Sequence, residues 1–158
     1  MLHYEDSGLP NVWLANGFEK VDTAYGEAVV IHDVPGLTRA ICMALIRKQA
    51  RLSGVEFRYI RQAMLLSQSS LGKSLGRTDQ AVAGWEKTGK IPKYADIMLR
   101  VLYAAHVDGN EKVRNIVHAL NEVDRVINFV MTDSPGGWLA QETASLPGDG
   151  KTGRKVRH

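Results

Sequence analysis

Apolar residues recur every three or four positions through most of this chain, but over its first thirty residues they cluster in short runs. Residues 11–18 and 26–32 are rich in β-branched and aromatic residues and are separated by a polar stretch, a pattern that predicts a β-hairpin. In residues 33–48, Pro35 lies near the expected helix start and apolar residues follow at helical spacing. We therefore expect a hairpin followed by one amphipathic helix.

The next segment begins with a helix-capping pattern. Ser53 is followed three residues later by Glu56, the arrangement of a capping box, which predicts a helix over 54–66. After Pro92, apolar residues at helical spacing predict another helix over 94–106. The segment between these two predicted helices, residues 67–93, contains the next motif.

Two short helices joined by a sharp turn are predicted in that interval. Ser67 and Thr78 are good N-cap residues, and Gly76 permits the chain reversal between the helices. Val82 and Trp85, three residues apart, give the second helix an apolar inner face. Its outer face would then carry Asp79, Gln80, Ala83 and Gly84. This is a helix-turn-helix, and such an outer face can enter the major groove of DNA.

Residues 58–92 resemble the lambda-repressor-like helix-turn-helix family, also called the XRE family. The matching positions are Arg61, Leu66, Ser67, Gln68, Leu71, Gly72, Leu75, Gly76, Val82, Trp85, Glu86, Gly89 and Pro92. Gly72 stands where the family usually has alanine and where the two helices touch, so the residue there stays small, but glycine costs about 1 kcal/mol of helix propensity. Gly84 stands where relatives often carry a longer polar side chain, so fewer direct base contacts are expected there.

Beyond residue 107 the apolar residues recur in steps of three and four, the a/d spacing of a coiled-coil seam. The seam comprises Val113, Ile116, Leu120, Val123, Ile127 and Val130. We expect one long helix here that pairs two copies of the chain; the alternative is that the stripe packs on the chain's own core and the hairpin forms the dimer contact. From residue 132 onward the chain is rich in Gly and Pro and ends in KTGRKVRH, which predicts a flexible basic tail.

The predicted fold class is therefore mainly α: a lambda-repressor-like helix-turn-helix bundle with a small N-terminal β-hairpin plus helix and a long C-terminal helix. The expected domains are an N-terminal hairpin and helix over 1–50, a DNA-binding domain over 51–107, a C-terminal helix over 108–131 and the tail over 132–158.

Charge is distributed unevenly along the chain. Residues 1–50 hold 4 basic and 6 acidic residues, a net −2, whereas residues 51–100 hold 9 and 4, a net +5, and residues 101–158 hold 7 and 7, a net 0. Positive charge that coincides with a helix-turn-helix favours contact with phosphates, because neutralising a polyanion releases its counterions.

Specific residues can be assigned to DNA contacts. Gln80 is the first candidate for base reading, since an amide can bridge the N6 and N7 atoms of adenine, and Asp79 is the second, since a carboxylate can accept from cytosine N4. The resemblance implies that Gln68 and Lys87 bind backbone phosphates. Further phosphate candidates are Arg77, Thr78, Lys90 and Lys93. The resemblance also implies an ion pair between Arg61 and Glu86, which would join the first helix of the domain to the end of the second motif helix.

Other chemistry is not indicated. The strings S-x-x-K at residues 70–73 and G-x-x-x-x-G-K at residues 84–90 lack the remaining elements and the structural context of a penicillin-recognising enzyme or a nucleotide-binding loop. Cys42 is the only cysteine, and no two histidines lie at the spacing of metal ligands. We expect no enzymatic activity, no cofactor and no metal. The N-terminus lacks a signal-peptide pattern and no window holds 18 consecutive apolar residues, so we expect a cytoplasmic protein with no membrane span.

Three functions remain open. The first is a sequence-specific regulator of transcription that binds double-stranded DNA, as a homodimer, and represses by blocking promoter access. The second is the antitoxin of a toxin–antitoxin pair that represses its own operon, because residues 51–131 resemble the DNA-binding half of MqsA-type antitoxins, although their cysteine-rich zinc half is absent; its partner would then be a toxin protein. The third is a protein-interaction module that does not bind DNA.

Overall fold

The computed structural model describes residues 1–107 and 126–144 of the 158-residue chain. The described strands are β1 (Leu2–His3), β2 (Val12–Leu14), β3 (Phe18–Thr23), β4 (Gly26–Ile31), β5 (Asn128–Ser134) and β6 (Gly137–Thr143). The described helices are α1 (Val34–Ile46), α2 (Gly54–Ala63), α3 (Gln68–Ser74), α4 (Asp79–Thr88) and α5 (Lys93–Val107). The chain divides into two compact units, the first formed by Met1–Ile41 with the residues from Val126 onward, the second by Cys42–Arg125.

The first unit is built on a mixed four-stranded sheet. Its strand order is β1-β2-β5-β6, in which β2 and β5 are parallel and the other neighbours are antiparallel. Leu14 of β2 lies beside Met131 of β5, and both are completely buried. A strand from the start of the chain therefore forms the core of this unit together with a strand from near its end.

The loop after β2 is fixed to the end of β5. Asn16 donates from its side-chain amide to the Asp133 carbonyl at 3.1 Å and accepts from the Asp133 backbone N–H at 2.6 Å. Gly17 has a φ of +78° and packs so closely against the Trp138 ring that a Cβ atom there would collide with it. These contacts lead directly into β3, which pairs only with β4 among the residues that the structure describes.

The second unit contains the helices α2 to α5. Ser53 caps α2 in a complete capping box with Glu56, whose carboxylate also binds the Lys48 ammonium at 2.8 Å. Arg100 of α5 is completely buried and pairs with Asp96 at 2.6 Å. Its guanidinium also donates to the backbone carbonyls of Ile46, Lys48 and Ala50. The segment between α1 and α2 is thus held by hydrogen bonds to α5 instead of by apolar contacts alone.

The prediction of a mainly α protein with a long C-terminal helix is wrong. Of the predicted helix over 108–131, the structure describes only residues 126–131, and these enter β5. β5 lies between β2 and β6 in the sheet, and Ile127, Asn128, Phe129 and Met131 are all buried, whereas Ile127 and Val130 also fit the three-and-four spacing that indicated a helix. Of the predicted seam, Val130 lies in this strand and Ile127 directly before it, and the other members, Val113, Ile116, Leu120 and Val123, lie outside the described residues.

The predicted tail and the predicted hairpin also need correction. Residues 132–143 belong to β5, a turn and β6, so the Pro and Gly residues at 135–137 form a tight connection between strands. A hairpin is present near the N-terminus, but its first strand is β3, whereas residues 12–14 form β2 in the other sheet. Within residues 1–107 and 126–144, no helix has both the length and the apolar character needed to cross a membrane.

Candidate nucleic-acid interface

The helices α3 and α4 meet at a glycine. Ser67 and Thr78 cap the two helices by accepting from the backbone N–H groups of Ser70 and Ala81, and Gly76 in the turn has a φ of +67°. A Cβ atom on Gly72 would lie only 2.8 Å and 2.9 Å from the carbonyl oxygens of Arg77 and Thr78. The helices touch at Gly72, as the sequence indicated, and the absence of a side chain there allows the turn to pass this close.

The two faces of α4 differ as the sequence predicts. Val82 is completely buried and Trp85 nearly so, with the Trp85 ring packed edge-on against Phe57 of α2 and Tyr94 of α5. On the other face, Asp79 and Gln80 are exposed and Ala83 and Gly84 are partly exposed. A Cβ atom on Gly84 would meet no atom of the described residues within 4 Å, so none of these residues covers the middle of this face of α4.

The predicted ion pair between Arg61 and Glu86 is present. Arg61 donates from Nε to Glu86 Oε2 at 2.7 Å and from Nη2 to Oε1 at 2.9 Å, and the two side chains are 8% and 5% exposed. Arg61 Nη1 also donates to the Leu66 carbonyl at 2.8 Å. Gln68 donates from Nε2 to the same Glu86 carboxylate at 3.1 Å. The carboxylate on α4 is therefore bound by side chains from both α2 and α3.

This geometry changes the role available to Gln68. The resemblance implies a phosphate contact, but one N–H of the Gln68 amide is already directed at Glu86. A phosphate would have to use the other N–H of the same amide. Gln68 consequently links α3 to α4 whether or not it also binds a phosphate.

Arg77, in the turn, is held by two aromatic residues. Its guanidinium lies 5.5 Å from the centre of the Trp85 ring and donates to the Tyr94 hydroxyl at 2.9 Å. Cation–π contact and a hydrogen bond together restrict a side chain that would otherwise be mobile. The sequence indicated a cation here, but nothing in it indicated that Tyr94 is its partner.

In the described part of the second unit, residues 42–107, the exposed charges are almost all positive. Residues 42–107 contain 11 basic and 4 acidic residues, a net +7. Three acidic residues, Glu56, Asp96 and Glu86, are buried in ion pairs with Lys48, Arg100 and Arg61. Subtracting these three pairs leaves 8 basic residues and 1 acidic residue, Asp79, all of them exposed. The exposed cations include four phosphate candidates: Arg77, Lys87, Lys90 and Lys93.

Two further observations concern the single cysteine and the candidate metal ligands of the described residues. Burial raises the pKa of the Cys42 thiol from 9.0 to about 12, although a hydrogen bond with Tyr103 acts in the opposite direction. Among the described residues, no three or more His, Cys, Asp or Glu side chains lie close enough together to hold a metal ion.

Comparisons with protein families, with curated proteins and with solved structures found no match to this chain.

Proposed function

We propose that this protein is a sequence-specific regulator of transcription that binds double-stranded DNA through α4, as a dimer that represses by covering its operator. The observation that carries the proposal is the uncovered polar face of α4, fixed from behind by Trp85 and the Arg61–Glu86 pair. A helix of ten residues is about 15 Å long and fits lengthwise in a major groove about 12 Å wide.

The roles of individual residues follow from their positions. Gln80 and Asp79, in the first turn of α4, read base edges, with the amide directed at adenine and the carboxylate at cytosine. Ala83 and Gly84 lie against the groove and let the α4 backbone approach the bases. Lys87, Lys90, Lys93, Arg77 and Thr78 bind phosphates, which fixes the register of the helix on the duplex without reading its sequence. Thr78 caps α4 through its hydroxyl oxygen and still has the hydroxyl hydrogen to donate.

The test begins with selection of a preferred site from random duplex DNA and titration of that site and of a scrambled duplex. Gln80→Ala should weaken binding to the preferred site by about 1–3 kcal/mol and leave the scrambled duplex nearly unaffected, as loss of one bidentate base contact predicts. Lys87→Ala should weaken both and lower the slope of affinity against salt by about one unit. Fluorescence anisotropy over a range of salt concentrations measures both effects.

Lys20→Ala is the control for loss of one positive charge, because Lys20 is an exposed lysine of the first unit, away from the sequence of the motif. Lys20→Ala should change neither the affinity for the preferred site nor the affinity for the scrambled duplex. Equal losses on both duplexes for Gln80→Ala would assign that residue to the backbone of the DNA instead of its bases. Absence of binding to any duplex at low salt would reject the proposed function itself.

A further inference from the structure

The β3–β4 hairpin contains the least covered strands that the structure describes. Eight of its twelve strand residues are exposed, and none is buried. Tyr25, in the two-residue turn, is fully exposed, and Val29 and Val30 of β4 are 41% and 55% exposed. A two-stranded hairpin without further packing is at best marginally stable in water, because it buries too little apolar surface. An additional strand against one of its edges would supply that burial.

The register identifies which backbone groups such a strand would meet. The backbone N–H of His32 donates to the Gly17 carbonyl at 2.8 Å, which places this pair at a hydrogen-bonded position, and such positions alternate with non-bonded ones along the hairpin. The N–H and C=O groups of Glu27, Val29 and Ile31 therefore point away from β3. These groups form a row along the outer edge of β4, and no described strand pairs with them.

The two edges of the hairpin are not equivalent. β3 carries three charged residues, Glu19, Lys20 and Asp22, and charged side chains are a common protection against unwanted strand pairing. β4 carries only Glu27, followed by the uncharged run over residues 28–31. The β4 edge is the one that can accept a strand.

Charge determines which kind of strand it can accept. Asp22 and Glu27 lie directly opposite each other, an arrangement that destabilises a strand pair, and the Lys20 ammonium is 4.0 Å from Glu27 with both side chains exposed. Residues 1–41 and 126–144 together hold 8 acidic and 2 basic residues, a net −6. This negative charge repels DNA, and a second copy would present the same acidic hairpin. The negative charge is complementary to a basic protein.

We propose that β4 is a docking edge for a basic protein partner, which adds an extended segment antiparallel to β4 and places lysine or arginine side chains beside Glu27 and Asp22. Backbone hydrogen bonds to residues 27, 29 and 31 provide affinity, as in other cases of strand addition, and the charges provide selectivity. Val29 and Ile31 lie on the same face as Glu27 and contact apolar side chains of the added strand. This surface is separate in sequence from the proposed DNA-binding residues.

A fluorescent peptide of alternating valine and lysine serves as the probe, with a peptide of alternating valine and glutamate as its control, each titrated with the full chain. The lysine peptide should bind and the glutamate peptide should not. Val29→Pro removes one outward N–H without removing a hydrogen bond between β3 and β4, since proline is tolerated at an edge, and should weaken binding at least about tenfold. Val29→Thr keeps that N–H and a β-branched side chain, and should stay within about threefold of the wild type.

A second variant avoids any change of backbone. Asp22→Asn combined with Glu27→Gln removes the opposed charges and should weaken binding of the lysine peptide about tenfold while making it less sensitive to salt. Thermal unfolding of each variant verifies that it is folded, and DNA binding should be unchanged in all of them, so a failure here is distinct from a failure of the proposed function.

Three results would overturn the proposal. Equal binding of the two peptides, or no binding of either, would reject charge-selective strand addition. Unchanged binding by folded Val29→Pro would remove the β4 edge from the contact. A wild-type dimer in sedimentation that Val29→Pro converts to monomers would make a second copy of this chain the occupant of the edge.

Discussion

Glu86 connects three helices through one carboxylate, because Arg61 of α2 and Gln68 of α3 both donate to it while it extends from α4. With side chains 8% and 5% exposed, Arg61 and Glu86 are well removed from water, so loss of one leaves the other charge buried without its counterion. That penalty falls on the position of α4 and not on a direct contact with DNA.

We expect Arg61→Ala and Glu86→Ala each to lower the free energy of unfolding by about 3–5 kcal/mol, and the double variant to lose much less than the sum of the two. Urea denaturation measures the three losses, and DNA affinity should fall with stability. The exposed pair of Lys20 and Glu27 is the matched control, where the same cycle should give at most about 1 kcal/mol. Additive losses at Arg61 and Glu86 would show that the pair contributes no coupling energy.

The Cys42 thiol makes stability depend on alkaline pH. Burial raises its pKa from 9.0 to about 12, so between these values the unfolded chain ionises the thiol while the folded chain keeps it protonated. The stabilisation that the protonated thiol provides is complete below the unfolded-state pKa of 9.0 and is lost as pH rises toward the folded-state pKa of about 12. We expect the wild type to lose stability over this range relative to Cys42→Ser, measured by urea denaturation at each pH. An identical pH dependence in the two proteins would contradict this.

How far the sequence determines the site is clearest for individual residues. The Arg61–Glu86 pair and the caps at Ser67 and Thr78 are predictable, because family resemblance and local hydrogen-bonding rules fix them. The contact of Arg77 with Tyr94 is not, since it joins residues 17 positions apart on different elements. It depends on where α5 lies against Trp85, which no local pattern encodes.

Two glycines in adjacent helices have opposite roles. Gly72 of α3 lies against the backbone oxygens of the turn, whereas the Cβ position of Gly84 in α4 is empty. Substitution by alanine therefore tests a different effect at each position: crowding against the backbone at Gly72 and helix propensity at Gly84.

Gly72→Ala should destabilise the protein by about 1–3 kcal/mol, the usual effect of overpacking against backbone that cannot move freely. Gly84→Ala should stabilise it by up to about 1 kcal/mol, because alanine is the better helix former and meets no neighbour. Thermal unfolding of both variants provides the comparison. A gain in stability for Gly72→Ala would mean that α3 and the turn can separate at no cost.

Helices and strands differ in how well the sequence predicts them. The starts of α2, α3 and α4 are marked by capping residues within the helices' own sequence, so their positions are predicted closely. β5 has no such marker, and its parallel partner β2 lies at the other end of the chain. The spacing of the apolar residues in β5 also suits a helix, and the burial of β5 depends on this distant partner. The sequence alone therefore does not identify β5 as a strand.

The whole molecule combines parts of opposite charge, since residues 42–107 have a net +7 while residues 1–41 and 126–144 have a net −6. Residues 108–125 add −1 and residues 145–158 add +3, so the total of +3 conceals this division. Association with a polyanion is therefore directed to the second unit, and the acidic residues of the first unit are unsuited to DNA. The two proposals, DNA for one unit and a basic protein for the other, follow from the same charge distribution.

The number of chains on an operator depends on how many base contacts one copy of α4 can make. The exposed face of α4 offers two or three side chains to base edges, too few for tight and selective binding, and helix-turn-helix domains gain both by pairing on half-sites one helical turn, about 10 base pairs, apart. Sedimentation of the complex should therefore show two chains per selected site. Inserting about 5 base pairs between the half-sites moves them to opposite sides of the duplex and should reduce affinity to that of one half-site, whereas inserting about 10 should restore much of it. Affinity that does not depend on the spacing would mean that the protein binds as a monomer.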